Sequence, residues 1–469
     1  MRQSEALTIM SAGANVFITG APGAGKTYVL NRFIEDARRR GASVSVTAST
    51  GIAATHINGQ TIHSWSGVGV STYLTEGIVK RILSRRRRKL EAADILVIDE
   101  VSMMHAWLFD MVDRVCRLAR RSPEPFGGLQ VVLSGDFFQL PPVTRGGRAN
   151  GMMEPPEEFL ASREPYVRAG KDPDGFITES LVWEELEPVI CYLTEQHRQD
   201  DGQLLTVLTD IREGDVTQED HDVLASRVGK EPAQGQVAVH LFPVNRQADA
   251  LNDQRLAQIG EPAHTYQATS TGEARLVERL KKNMLAPEEL VLKTGAAVMA
   301  LRNDQDHQYV NGSIGRVQGF TDQTKGGWPI VAFENGNTVT MKPAAWEMMD
   351  GDTVLAAVNQ VPLRCAWAIT IHKSQGMTLD RAVMDLRRTF APGMGYVALS
   401  RVEDLDGLYL AGINERAFLV SPDAVVLDAD LRADSKTACA RLEEEGADSF
   451  TRRAVGQEPE DEFAQDQLF

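Results

Sequence analysis

The sequence predicts an α/β fold organised around parallel sheets, and two observations carry that prediction. Short apolar strands recur and run into polar, turn-forming ends, within Ala14–Lys26, at Ile95–Ile98 and at Gln130–Leu133. The first leads into a glycine-rich turn and then a helix-like stretch to Arg40, which is the strand–loop–helix order of a phosphate-binding loop. At 469 residues the chain exceeds a single core and, at ~150 residues per domain, is expected to form roughly three folded units.

Bulk composition narrows the class before any motif is read. Hydrophobic residues at 43% and charged residues at 24% match globular averages, which excludes general disorder and fibrous repeats. No apolar run approaches the ~18 residues of a membrane span, and Met1–Met10 lacks the charged-then-apolar order of a signal peptide, so a cytoplasmic location is expected. The net charge of −16 argues against a generally basic nucleic-acid coat, although it leaves room for a local positive channel. Cys116, Cys191, Cys365 and Cys439 are far apart and form no CxxC pair, so neither a zinc site nor a disulfide framework is readable.

The element after the first strand reads GAPGAGKT. Gly20, Gly23 and Gly25 let backbone N–H groups wrap a phosphate chain, Lys26 adds positive charge at the outer phosphates, and Thr27 is placed to ligate magnesium. A glycine-rich turn that binds nothing is the alternative, and the flanking strand and helix argue against it. The strand Ile95–Ile98 delivers Asp99 and Glu100 at its C-terminal end, where ligands gather in open parallel sheets. Asp99 would hold Mg²⁺ through water and Glu100 would orient or deprotonate the attacking water. The third strand ends in SGDFFQLPPV, with Asp136 and Gln139 on the turn; Gln139 would sense the γ-phosphate of ATP.

Three such strand ends define an NTPase without saying what it drives. Further blocks follow in order: QxxA at Gln3–Ala6, TASTGIAA with TIHSW, IDEVSM, PFGGLQ before SGDF, EQHRQDDGQLLTVLTDIREGD, AWAITIHKSQGMTLD and GYVALSRV. On these blocks, from Gln3 to about Leu410, the chain resembles the Pif/RecD branch of superfamily-one helicases. PFGGLQ, together with the helix-like Leu108–Arg120, resembles the stretch that marks the Pif family within it.

That resemblance implies two tandem RecA-like motor domains, ATP and Mg²⁺ as cofactors, and 5′-to-3′ movement on single-stranded DNA with unwinding of forked duplex. It also implies family roles in DNA repair, recombination and replication, near the nucleoid. Gln3 would read adenine, and Arg198 and Arg401 would reach the γ-phosphate from the second motor domain as arginine fingers. Gln375 and Gly376 would line the cleft and couple nucleotide state to DNA grip. Thr50, His63 and Ser64 resemble the DNA-backbone contacts of the first domain, and His372 and Lys373 those of the second. Phe138 and Pro142 either press on bases or pack the turn.

The same reading divides the chain. Residues 1–178 form the first motor domain, with a wedge insertion at 66–94 bearing Lys80, Arg81 and the run Arg85–Lys89, and a connecting excursion at 144–178. Residues 179–300 and 364–425 form the second motor domain, interrupted at 301–363 by alternating strands that resemble a small SH3-like barrel. Residues 426–469 read as an acidic flexible tail. Its last five residues, Gln465–Phe469, resemble the peptide that docks bacterial replication proteins on the sliding clamp; a frayed end is the alternative.

A monomeric helicase is therefore the expectation. The alternative is a DNA-stimulated ATPase that remodels protein–DNA complexes without strand separation. A nuclease-complex subunit is disfavoured because no nuclease motif is evident, and a nucleotide-binding scaffold is disfavoured by intact Lys26, Asp99, Glu100 and Arg401.

Overall fold

The computed structural model describes residues 1–451 except 58, 70, 143–156, 196–201, 234–235, 237, 285, 303, 305–307, 310–312 and 351–352. The first domain runs α1 (Gln3–Ser11), β1 (Val16–Gly20), α2 (Lys26–Arg39), β2 (Val44–Ala48), α3 (Gly51–His56), β3 (Gln60–Thr61) and α4 (Ile62–Ser66). It continues through α5 (Glu76–Glu91), β4 (Ile95–Asp99), α6 (Ala106–Arg120), β5 (Gln130–Ser134), α7 (Glu157–Ala169), α8 (Trp183–Leu186) and β6 (Val189–Leu193). The strands form one parallel sheet in the order β3-β2-β4-β5-β1-β6. Every residue of β1 and β4 is buried, because helices cover both faces of a parallel sheet and leave no solvent side to alternate toward.

The segment expected to carry a wedge holds α5, whose N-terminus is capped by the Thr75 hydroxyl accepting from the Ile78 N–H. Val79, Ile82 and Leu90 bury one face of this helix. At its other end the Arg120 guanidinium collects the carbonyls of Leu90, Glu91 and Ala93, and its Nε donates to Gly127. The PFGG turn is thereby bound to the same corner. The Asp113 carboxylate accepts from the Phe126 N–H at 2.6 Å, and the Phe126 and Phe109 rings lie 4.8 Å apart. Arg87 donates to the carbonyls of Leu118 and Ala119, so part of the basic run binds α6, while Lys80, Arg81, Arg85 and Arg88 are exposed.

The second domain begins with α9 (Gln203–Glu213), α10 (Gln218–Ala225), β7 (Val239–Phe242) and α11 (Asn245–Gln258). An insertion follows: β8 (His264–Gln267), β9 (Thr269–Gly272), α12 (Ala274–Asn283), β10 (Glu289–Leu292), β11 (Ala297–Ala300), β12 (Ile314–Phe320), β13 (Pro329–Phe333), β14 (Thr338–Thr340), β15 (Ala344–Asp350), β16 (Thr353–Gln360) and β17 (Leu363–Cys365). The motor domain resumes with β18 (Ala368–Thr370), α13 (Ile371–Ser374), β19 (Ala382–Leu386), α14 (Met394–Leu399) and β20 (Leu408–Ile413), in a parallel sheet ordered β18-β7-β19-β20.

Three expectations need correction. Residues 179–193, assigned from sequence to the second motor domain, complete the first instead, where β6 pairs in parallel with β1. Residues 264–300, assigned from sequence to the second motor domain, pair instead within the insertion: β9 with β16, β10 with β8, and β11 with both β12 and β17. Their partners lie as many as about ninety residues away, so no local pattern reveals the pairing. The stretch from 426 is also not a tail throughout, because α15 (Pro422–Glu445) is a helix whose Ala424, Leu431, Ser435 and Ala438 are buried. This helix lies against β6, an edge strand of the first sheet, where the Ser435 hydroxyl accepts the Tyr192 N–H at 3.0 Å. Covering that edge satisfies a backbone donor that would otherwise be open to another strand. The final Gln465–Phe469 lies outside the described residues.

Candidate active site

Both parallel sheets present their strand C-terminal ends to the cleft, and side-chain positions there follow from the strand registers. Between β1 and α2 the chain wraps through Gly20, Gly23 and Gly25 with φ of 145°, 83° and 82°. The Lys26 ammonium donates to the carbonyls of Gly20 and Ala21 at 2.7 and 3.2 Å, folded over the loop it would serve. Burial lowers its pKa, opposed chiefly by the Asp136 carboxylate and then by Glu100 and Asp99. Gln3, carried by α1, donates its side-chain amide to the Ala24 carbonyl at 3.0 Å and its backbone N–H to Glu195 at 2.7 Å, which places it directly on the loop. Thr27 opens α2 and is exposed.

Asp99 ends β4, 9% exposed, and accepts the Glu100 N–H at 2.9 Å. Burial raises its pKa, while hydrogen bonding from Ser134 and from the Glu100 N–H opposes the rise. Glu100 is in the left-handed region at φ 53°, a conformation that costs a non-glycine residue about 1–2 kcal/mol and is retained where a side chain must be aimed. Burial, then the Asp99 charge, raises the Glu100 carboxyl to about 7, with Arg401 pulling it down. Gln375 reaches it from the second domain, its amide donating to Glu100 at 3.2 Å. This contact joins the two motor domains across the cleft.

Gln139 is 6% exposed and its N–H donates to the Asp136 carbonyl at 3.0 Å. The side-chain oxygens of both Gln139 and Gln375 are buried without a hydrogen-bond partner, an arrangement that costs stability unless a ligand supplies the missing donor. Arg401 is 5% exposed, held by the carbonyls of Val397, Ser374 and Met377 and by the Ser400 hydroxyl. Gly376, at φ 79°, turns the chain beside Gln375. Positive-φ glycines, a lysine on the loop and a buried carboxylate pair together fit a magnesium-bound nucleoside triphosphate, and the orphaned amide oxygens would accept from an attacking water. Lys26, Asp99, Glu100, Gln139, Gln375 and Arg401 are thus gathered at one cleft, while Arg198 lies outside the described residues.

The DNA-contact candidates leave the same edges. Ala48 of β2 pairs with Thr61 of β3, and the chain leaves these paired ends through Thr50, just before α3, and through His63 in α4. The Thr50 hydroxyl accepts the Ala53 N–H at the start of α3, and Ser64 is exposed. His372 and Lys373 lie in α13, directly beyond the end of β18. Burial lowers the pKa of His63, His372 and Lys373. Phe138 is different: it is 2% exposed, with the Arg212 guanidinium 4.2 Å from its ring centroid and the Tyr396 ring 6.4 Å away. Of the two readings the sequence left open, packing of the turn is the one its ring follows; Pro142 is likewise buried.

Sequence reasoning missed Arg212. On α9, Leu204, Val207, Leu208 and Ile211 form the buried stripe, and Arg212 falls on that stripe eight residues after Leu204. A cation on an apolar helix face was the available signal.

Comparison with known proteins gives one consistent answer. A family model described as PIF1-like helicase matches residues 3–155, and a second, DNA helicase Pif1, 2B domain, matches residues 275–320. The chain is 36% identical to the ATP-dependent DNA helicase Pif1 of Psychrobacter sp., covering 99% of this chain and 74% of that protein. It superposes on the crystal structure of Pif1 helicase from Candida albicans with a TM-score of 0.79 at 31% identity, covering 92% of this chain and 98% of that one. It is also similar to the Bacteroides Pif1 helicase solved in complex with ADP-AlF3 and single-stranded DNA, with a TM-score of 0.69, 29% identity and coverage of 93% and 97%.

Proposed function

Because the chain belongs to the PIF1-like helicase family, we propose that this ATP-driven DNA helicase moves 5′ to 3′ along single-stranded DNA and opens forked duplex by hydrolysing Mg-ATP between its two motor domains. The observation that carries this reading is the Gln375–Glu100 hydrogen bond, which puts a second-domain amide on the first-domain carboxylate that would orient water. The position of hydrolysis is thereby sensed by both domains. Resemblance to the nucleotide- and DNA-bound Bacteroides structure supports the ligand pair.

Thr27 and Asp99 would hold magnesium, which when bound neutralises phosphate charge. Lys26 exchanges its two loop carbonyls for phosphate oxygens. Glu100, with its carboxyl raised to about 7, orients the attacking water and takes its proton, and Gln139 and Arg401 stabilise charge on the transferred phosphoryl group. Gln3 holds the base. Thr50, His63 and Ser64 hold the DNA backbone on one side and His372 and Lys373 on the other, so that closing and opening the cleft changes the grip of each pair in turn. The segment 66–94 supplies the separating element. The helicase acts as a monomer on nucleoid DNA.

The deciding experiment measures ATP hydrolysis with and without a dT oligonucleotide for the wild type and Lys26→Ala. Strong stimulation that the substitution abolishes is expected; a folded wild type that consumes no ATP in either condition sinks the reading. Unwinding of 5′-tailed but not 3′-tailed duplex is the expected polarity result, and ATPase activity without unwinding of either would favour a remodelling ATPase. Deleting Gln465–Phe469 tests clamp docking: lost binding supports it, unchanged binding ends it.

A further inference from the structure

Arg212 is 2% exposed and is surrounded by charge that belongs to separate parts of the chain. One nitrogen donates to Asp136 and to the Tyr396 hydroxyl, both at 2.8 Å. The other donates to the Tyr192 hydroxyl at 2.8 Å and faces Asp428 at 3.4 Å. Tyr396 closes the ring by donating to Asp136 at 2.9 Å. Asp136 belongs to the first motor domain, Tyr396 to α14 of the second, and Asp428 to α15.

Two of the four partners of the guanidinium, Asp136 and Tyr396, each lie a few residues from a group at the phosphate end of the cleft. Asp136 accepts the Phe138 N–H at 3.2 Å and through its own carbonyl the Gln139 N–H at 3.0 Å, so its carboxylate shapes the turn that aims Gln139. Tyr396 precedes Val397, whose carbonyl holds Arg401 Nε at 2.8 Å. The backbones of these two segments also touch: a Cβ at Gly393 would lie 2.8 Å from the carbonyls of both Phe138 and Gln139. Asp136 and Arg212 further act on the Lys26 charge with opposite sign, which places the cluster within electrostatic reach of the phosphate loop.

We propose that Arg212 is a positioning residue for hydrolysis: by clasping Asp136 and Tyr396 together it fixes the turn that carries Gln139 in one motor domain relative to the helix end that holds Arg401 in the other. Its fork geometry makes the clasp, since Lys carries the charge but not the planar set of donors that meets a carboxylate and two phenol oxygens at once. Arg212 touches neither phosphate nor DNA. This inference rests on the helicase reading above.

The test uses the full chain with Arg212→Lys and the gentler Tyr396→Phe, which removes only the hydroxyl. Measured are kcat and KM for dT-stimulated ATP hydrolysis, binding of a fluorescent ADP analogue, binding of the dT oligonucleotide, and thermal midpoint. The expected result is a kcat lower by on the order of tenfold for Arg212→Lys and several-fold for Tyr396→Phe, with KM and both affinities within about twofold. A folded Tyr396→Phe with wild-type kcat, or a kcat loss matched by loss of nucleotide binding, overturns the proposal. If the wild type hydrolyses ATP normally, such a result removes only the clasp; a wild type without ATPase activity removes the helicase reading and the clasp with it.

Discussion

Replacing Arg212 with Met removes a buried cation while keeping most of the side chain's length, and the consequences are unequal for its two carboxylates. Asp428 keeps the Arg432 guanidinium and the Tyr192 hydroxyl. Asp136, at 0% exposure, keeps only the Tyr396 hydroxyl and the Phe138 N–H. Orphaning one member of a buried ion pair costs about 3–5 kcal/mol. The destabilisation is therefore expected at about 3–5 kcal/mol at pH 7. Urea unfolding followed by circular dichroism and by tryptophan fluorescence would read it, taking the transition that shifts, since several domains unfold here. Arg212→Met combined with Asp136→Asn removes both charges and is expected to recover to within about 1 kcal/mol of wild type. A loss below 1 kcal/mol at pH 7 would refute the reasoning.

Three further outcomes follow from local geometry. Gly25→Ala puts a Cβ against the Gln3 amide at φ 82°, so ATP affinity is expected to fall on the order of tenfold, with stability lower by about 1–2 kcal/mol; unchanged affinity in a nucleotide titration would contradict the role of the loop–Gln3 contact. Gly395→Ala drives a Cβ to 2.0 Å from the Ala417 carbonyl, and the backbone must shift, at a cost of about 1–3 kcal/mol in unfolding experiments; wild-type stability would show the helix to be less tightly seated. Burial, with Arg255 nearby, lowers His240 to about 4, below the ordinary ~6.5, so between these values the unfolded chain binds a proton that the fold does not. Stability is thus lost as pH falls through that window, by at most about 3 kcal/mol and less after solvent screening, and His240→Gln should flatten this acid limb; an unchanged pH profile would remove His240 from the account.

The nucleotide site was legible because its chemistry is written in contiguous residues: glycines that reach positive φ, a lysine at the loop's end, and carboxylates at the end of an apolar strand. Four strands of the insertion, β12, β13, β14 and β16, are visible in the sequence as alternating runs between turns at Gly315–Phe320, Ile330–Phe333, Thr338–Met341 and Thr353–Val361. Other features were not written locally. Arg212 finds its partners 76, 184 and 216 residues away, so only its odd position on an apolar helix face announced it. Phe138 sits in a turn motif that suggested base stacking, but its ring is covered by that same distant arginine. The α15 helix was hidden by its acidity, since a narrow buried stripe of mostly small residues suffices to seat it on a strand edge.

That α15 returns to β6 has a mechanical consequence. The chain leaves the first motor domain after Leu193 and comes back to it with Pro422, so the second domain hangs as a loop anchored at both ends. A force that separates the lobes is shared by two strands of polypeptide instead of concentrated on one, and a single cut in the first crossing leaves the halves still joined through the other. Swivelling about one linker is forbidden by such a harness; rocking across it is not.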